Sequence, residues 1–373
     1  MNAMKKILIV LGTRPEAVKL APVILAFRAF PNWKTQVIVT GQHREMLHQT
    51  LGWFGIEADR DLQIMTPQQS LSDITCRSLR GLEEGYIQEK PDLVIVQGDT
   101  STTLAGALAA FYQQIPVAHV EAGLRTGVAD DPFPEEMNRR LTSQLATLHF
   151  APTPQAVHNL KHEGITERVY MTGNTVIDAL QAIAGQSPTC PVPELDWENR
   201  RVLLVTVHRR ENWGEPLVQI AGALLEILDA YPDTAILLPL HKNPTVREPL
   251  TFHLGHHPRV ALCEPLDYPQ LVAAMQRSTL VLTDSGGLQE EAPALGKPVL
   301  VLRETTERPE AIAAGVARKV GTDRAAIVEA AGELLSTPEV YRRMAQAVNP
   351  FGDGQATKRI LSVVVDYLGL DTE

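Results

Sequence analysis

The stretch Leu280-Val281-Leu282-Thr283-Asp284-Ser285-Gly286-Gly287-Leu288-Gln289-Glu290-Glu291 decides the fold. An apolar run ends in a short polar loop with two glycines, and Leu288, Ala292 and Leu295 then recur on one helical face. The pattern predicts a strand feeding straight into a helix N-terminus. Gly286 and Gly287 carry no side chain, so an anion can approach the backbone, where free N–H groups and the helix dipole attract it. Phosphate is the natural guest. The alternative for so short a motif is a tight βα turn capped by Asp284 or Ser285.

Outward from this stretch the same alternation covers the chain. Strands are predicted at 7–11, 36–40, 93–97, 116–120 and 169–172, between helical patterns near 16–29, 44–53, 71–89, 101–112, 134–146, 153–163 and 175–184. Pro22 is expected to kink or split the first helix. A second run of strands follows at 202–207, 235–239, 260–263, 279–283, 298–302 and 316–320, and helices at 323–335, 338–347 and 355–368 close the chain. Strands that are apolar on both faces and separated by helices imply parallel sheets covered on both sides. Between the runs lies Ser187-Pro188-Thr189-Cys190-Pro191-Val192-Pro193, a semi-rigid link, which sets expected domains at 1–186 and 187–373. Two Rossmann-like halves of this kind bind ligands beyond the carboxyl ends of their strands, so the cleft between facing halves is the expected site.

A length of 373 residues gives each half its own core, and 44% hydrophobic with 21% charged residues is ordinary for a soluble protein. A net charge of −10 argues against nucleic acid or an anionic membrane as partner, so an anionic substrate must be held by local cations. Cys76, Cys190 and Cys263 form no CxxC pair, which fits a reducing cytoplasm. No run approaches the roughly 18 apolar residues of a membrane span. His253, His256 and His257 have no carboxylate beside them, so no metal site is expected there. Neither GxGxxG after the first strand nor GxxxxGK[ST] occurs, so neither a dinucleotide nor a P-loop triphosphate is signalled.

Polar residues collect at the predicted strand ends. Gly12-Thr13-Arg14-Pro15-Glu16 follows the first strand, with Lys19 one helical turn on; Gly98-Asp99-Thr100 and Glu121-Ala122-Gly123-Leu124-Arg125 follow two others. In the second half His208-Arg209-Arg210-Glu211 and His241-Lys242-Asn243-Pro244 stand in the same place. Each residue has a plainer reading. Asp99 could cap the following helix, Arg14 could pair with Glu16, and His208 could be a satisfied half-buried histidine. In the helix after Pro134, Met137, Leu141 and Leu145 are predicted to form the buried stripe, and Glu135–Arg139 has ion-pair spacing. The functional reading places one of Glu135 and Glu136 over the cleft as a further acid/base group.

Those motifs, together with Pro134-Glu135-Glu136, Thr172-Gly173-Asn174-Thr175-Val176-Ile177-Asp178 and Thr305-Thr306-Glu307-Arg308-Pro309-Glu310, resemble those of bacterial non-hydrolysing UDP-N-acetylglucosamine 2-epimerases. The resemblance runs from near Ile7 to Gly352-Asp353-Gly354. It implies a GT-B fold, with the final helix, about 355–369, packing back on the first domain, and commonly a homodimer. It also implies interconversion of UDP-GlcNAc and UDP-ManNAc for surface polysaccharide, with no cofactor and no metal. By the same resemblance Asp99, Glu121 and Glu135 are the acid/base carboxylates and Lys19 is a cleft cation. Arg14, His208, Ser285, Gly286, Gly287 and Arg308 take the diphosphate end, where His208 also serves catalysis by stabilising the leaving group, and Glu291 takes the ribose. An effector site for UDP-GlcNAc is implied around Gln42, His43, Gln69, Arg210 and His241. The chain departs from relatives there at Glu45, Gln68 and Val207, and at Leu266 and Leu271 in the loop expected to face the uracil. A hydrolysing epimerase that releases ManNAc, a GT-B glycosyltransferase and a non-catalytic nucleotide-sugar sensor remain alternatives on the sequence alone.

Overall fold

A computed structural model of the chain describes residues 4–41, 44–66, 68–193 and 195–370. The described residues fall into two compact units, one within 1–182 and 351–373 and the other within 183–350. The chain runs β1 (Lys5–Leu11), α1 (Arg14–Ala29), β2 (Trp33–Val39), α2 (Arg44–Trp53), β3 (Arg60–Asp61), α3 (Leu71–Glu89), β4 (Leu93–Gln97), α4 (Ser101–Tyr112) and β5 (Val117–Val120). It continues through α5 (Glu135–Leu145), β6 (Leu148–Ala151), α6 (Pro154–His162), β7 (Val169–Met171) and α7 (Thr175–Ala184). The second unit holds β8 (Arg201–Thr206), a 3-10 turn (Arg210–Asn212), α8 (Glu215–Ala230), β9 (Thr234–Pro239), α9 (Pro244–Leu254), β10 (Val260–Cys263), α10 (Tyr268–Arg277) and β11 (Leu280–Thr283). There follow α11 (Gly286–Ala294), β12 (Val299–Val301), α12 (Pro309–Ala313), β13 (Ala317–Lys319), α13 (Arg324–Ser336) and α14 (Pro338–Ala345). The last helix, α15 (Ala356–Tyr367), belongs to the first unit and lies against α1.

Each unit is built on one parallel sheet. Among the described residues the first has strand order β3-β2-β1-β4-β5-β6-β7 and the second β10-β9-β8-β11-β12-β13. The central strands are fully buried, as their unbroken Leu, Ile and Val runs require of a sheet covered on both faces. Strand order reverses between β1 and β4 in one sheet and between β8 and β11 in the other. At such a reversal the loops leaving the two strands diverge and open a crevice at their carboxyl ends. Each unit carries its polar constellation at this point.

Three sequence expectations are corrected. Pro22 does not split α1, which runs from Arg14 to Ala29 because Leu20, Ala21, Val23, Ile24 and Phe27 are all buried and outweigh one missing hydrogen bond. Of the expected apolar stripe of α5 only Leu145 packs against the core. Met137 and Leu141 are 40% and 47% exposed, while Glu136, Asn138, Thr142 and Ser143 are buried. That polar face can go inside because its charges are paired: the Glu136 carboxylate accepts from Arg140, at 2.8 Å, and from the Thr126 N–H, at 3.1 Å. Finally, β3, only two residues long, has no counterpart in the periodicity, whereas α12 is one of the helices expected between the strands of the second half.

Candidate active site

In the first unit the loop after β1 is locked by Glu16. Thr13 caps α1 in a reciprocal box with Glu16. One carboxylate oxygen accepts from the N–H groups of Gly12 (3.0 Å) and Thr13 (2.7 Å), the other from the hydroxyls of Thr100 (2.8 Å) and Thr103 (3.0 Å). Burial pushes the Glu16 carboxyl up and these bonds offset part of that rise. Glu16 is therefore occupied as a tie between two loops. Arg14 lies with its guanidinium 5.6 Å from the centre of the Trp53 ring.

The loop after β4 carries Asp99. Thr100, not Asp99, caps α4, accepting the Thr103 N–H at 3.1 Å. Asp99 instead receives the Arg139 guanidinium at 2.6 Å, while its carbonyl accepts from the Asn138 amide at 2.9 Å. Arg139 thus turns to Asp99, and to Glu136 at 3.5 Å, and the Glu135 spacing on α5 is not used for a local pair with it. Burial raises the Asp99 pKa above its ordinary value; Arg139 and Lys19 oppose the rise, and the neighbouring charges of Glu121 and Glu135 add to it. Glu135 itself is half-buried at the first turn of α5.

Glu121, at the end of β5, is held differently. Its backbone is left-handed, at φ +64°, and its side chain is buried. Lys19 Nζ stands 2.6 and 2.7 Å from the two oxygens, Asn174 Nδ2 donates to one of them at 3.0 Å, and Gln97 Nε2 donates to the other. His119 behind it is buried and neutral, its pKa pushed down to about 3 chiefly by burial, and its Nε2 donates to the Gly98 carbonyl at 2.7 Å. The cluster therefore sets Asp99, whose pKa burial raises, near Glu121, which Lys19, Asn174 and Gln97 hold by hydrogen bonds. Carboxyl groups placed side by side in this way are suited to acid/base work.

The second unit gathers its polar residues around the end of β11. Asp284, at the end of β11, is fully buried and does not cap α11. One of its oxygens accepts from the N–H groups of His208 and Arg209, both at 2.8 Å, and from the Asn212 amide at 3.0 Å; the other stands 3.1 Å from His208 Nδ1. Burial works to raise its pKa, but His208 and the backbone donors more than offset this and hold it below the usual aspartate value. His208, fastened through Nδ1, stays 38% exposed and stacks on His241 with ring centres 6.0 Å apart. Ser285 occupies the N-cap of α11 without a side-chain cap bond. A methyl group on Gly286 would sit 2.8 Å from a Glu307 oxygen, at the free end of that side chain, so a larger residue here must displace Glu307. Arg308 is paired with Glu290, and Glu291 accepts from the Tyr268 hydroxyl at 2.7 Å.

Of the expected effector residues, Gln42 and His43 lie outside the described residues. Gln69 accepts the Thr66 N–H at 3.0 Å, Arg210 lies over the Trp213 ring at 5.5 Å, and His241 stacks on His208. Sequence reasoning missed Arg139, Gln97, Asn174 and Tyr268 as partners of site carboxylates, and read Asp284 only as a cap. Arg139 and Asn174 stood inside motifs already singled out; nothing marked Tyr268. Among the described residues no three His, Cys, Asp or Glu side chains are grouped as a metal would require.

Comparison with known proteins covers the same ground. A family model described as UDP-N-acetylglucosamine 2-epimerase matches residues 25–365. The UDP-N-acetylglucosamine 2-epimerase of Salmonella typhimurium is 51% identical over 371 residues, covering 97% of this chain and 99% of that protein. That of Bacillus subtilis is 48% identical over 369 residues, covering 99% and 97%. The crystal structure of the Neisseria meningitidis UDP-GlcNAc 2-epimerase bound to UDP-GlcNAc superposes with a TM-score of 0.86 at 48% identity, covering 97% of this chain and all of that one. The shared architecture is GT-B-like, two domains each on a parallel Rossmann-like sheet.

Proposed function

The chain belongs to the UDP-N-acetylglucosamine 2-epimerase family, and we propose that it inverts C2 of UDP-GlcNAc to give UDP-ManNAc by eliminating and re-adding UDP. The C2 proton of an N-acetyl sugar is not acidic enough for direct removal at a useful rate. Elimination avoids the difficulty: a carboxylate takes the C2 proton as the C1–oxygen bond breaks, and UDP leaves with the bonding pair. The unsaturated sugar then accepts a proton on the other face of C2 while a phosphate oxygen of UDP returns to C1. The sequence is redox-neutral and calls for no nicotinamide, and acid/base side chains suffice without a metal.

Asp99, Glu121 and Glu135 supply the acid and base in this reading, with Lys19 paired to Glu121. UDP gains negative charge as it leaves, and His208, Arg14, Arg308 and the α11 tip at Ser285, Gly286 and Gly287 receive it, while Glu291 takes the ribose hydroxyls. The observation that carries the proposal is the pairing of Asp99, held above the usual aspartate range by burial, with Glu121, clasped by Lys19. The three cysteines, none of them in a CxxC pair, suit a reducing cytoplasm, and a homodimer is the assembly we expect there.

The test is incubation with UDP-GlcNAc in heavy water, followed by NMR of the sugar. Deuterium entering C2 of both intact UDP-sugars is the expected result. Free ManNAc with UDP would make the chain a hydrolase, and an unchanged C2 signal would end the proposal.

A further inference from the structure

We infer that Asn174 is a positioning residue for Glu121, and that the strap 351–354, where the chain re-enters the first unit, is what seats it. The inference rests on Glu121 acting in the reaction. Asn174 is 3% exposed and is used on three sides. Its amide Nδ2 donates to Glu121 at 3.0 Å, its Oδ1 accepts the Val176 N–H at 3.1 Å, and its backbone N–H donates to the Phe351 carbonyl at 2.7 Å. The first bond fixes a carboxylate, the second starts α7, and the third reaches the returning chain.

The strap approaches so closely because glycines face each other across it. Gly173 and Gly352 have φ of +89° and +140°; a Cβ on the first would stand 3.3 Å from the Gly352 Cα, and one on the second 3.4 Å from the Asn174 N. Both flanks of the contact are tied down. Asp178 accepts the Thr357 N–H at 2.8 Å at the start of α15, and Arg359 donates to the Thr172 carbonyl at 3.0 Å. Residue 174 is therefore clamped by the returning segment. Glu121 needs such help, because its left-handed backbone does not by itself aim the side chain. Lys19 reaches both oxygens and Gln97 one of them, so the Asn174 amide supplies a fixed neutral donor on the remaining side.

Asn174→Ser tests the link, since serine can still cap α7 but is too short to reach Glu121. The titratable groups around Glu121 are Lys19 on α1, Asp99 after β4, His119 on β5, and Glu135 with Arg139 on α5 beyond Asp99. None of them is altered. Losing a donor to a carboxylate raises its pKa, so the limb of the kcat/KM pH profile that Glu121 carries should move up by about one unit. The kcat should fall by about tenfold with KM little changed. Gly352→Ala, which changes no group near the carboxylate, should move the same limb in the same direction by less. A pH profile of Asn174→Ser superposing on that of the unaltered protein would overturn the inference, and a shifted Asn174→Ser profile with an unshifted Gly352→Ala one would remove the strap from it. Glu121→Gln run alongside separates the two readings: full activity there sinks the role of Glu121, whereas a dead Glu121→Gln with an unshifted Asn174→Ser sinks only this inference.

Discussion

Asp99 and Asp284 occupy equivalent places in the two units, each just beyond the strand next to the reversal of its sheet, Asp284 fully buried and Asp99 half-buried. Their protons are held in opposite ways. Asp284 collects two backbone N–H groups, the Asn212 amide and the His208 ring, and these overcome burial. Asp99 is given Arg139 but also lies near Glu121 and Glu135, and burial wins. The lesson is that donors, not position in the fold, decide whether an aspartate drawn out of water becomes an anchor or an acid. One topology thus raises the pKa of one aspartate and lowers that of the other.

The sharpest way to break the contrast is Asp99→Asn. C2 exchange in heavy water should fall by about a thousandfold, a range typical of losing a general acid or base, while calorimetry shows UDP binding unchanged. Near-normal exchange would strip Asp99 of its role. Asp284→Ala should do the reverse. It leaves His208 and two buried N–H groups unpartnered, so urea unfolding should show a loss of about 3 kcal/mol, and UDP should bind about tenfold more weakly. Exchange at saturating substrate should persist.

A smaller effect distinguishes the two by pH. The folded state raises the Asp99 pKa, so its contribution to stability is complete below the unfolded value, near 3.8, and is lost as pH climbs through the folded one. Asp99→Asn should therefore melt a few degrees above the unaltered protein at pH 8, with the gap closing in acid. For Asp284, whose pKa is lowered, stability is present above the unfolded value and is lost as pH falls through the folded one, so Asp284→Asn should melt lower at pH 8. The smallest effect is expected for Gly286→Ala. Its new methyl group meets only the free end of the Glu307 side chain, so UDP affinity should drop a few-fold with exchange at saturation intact.

Much of this was legible in the sequence because the signals are local. Leu93 to Gln97 reads as a buried parallel strand from its residues alone, and Gly98-Asp99-Thr100 marks the turn into the next helix. The motif around Gly286 shows both the helix tip and the freedom of its N–H groups. The features that stayed hidden depend on distant partners. The spacing of Met137, Leu141 and Leu145 promised a buried stripe, but the face of Glu136 and Asn138 is drawn inward by Arg140, Thr126 and Asp99. Pro22 was judged by its own backbone, without the packing that keeps α1 in one piece. Tyr268 meets Glu291 across twenty-three positions of chain, and the Asn174 link to Phe351 spans nearly half of it. Periodicity carries no information about such pairs.

The return of residues 351–370 to the first unit has a consequence for biosynthesis. A ribosome completes every strand of that sheet early, yet the closing segment, with α15 against α1 and Phe351 against Asn174, emerges only after the whole intervening unit has been translated. The nascent first unit must wait with its proton-handling cluster unfinished, so an arrested chain ending before residue 350 should carry the carboxylates but not their final alignment.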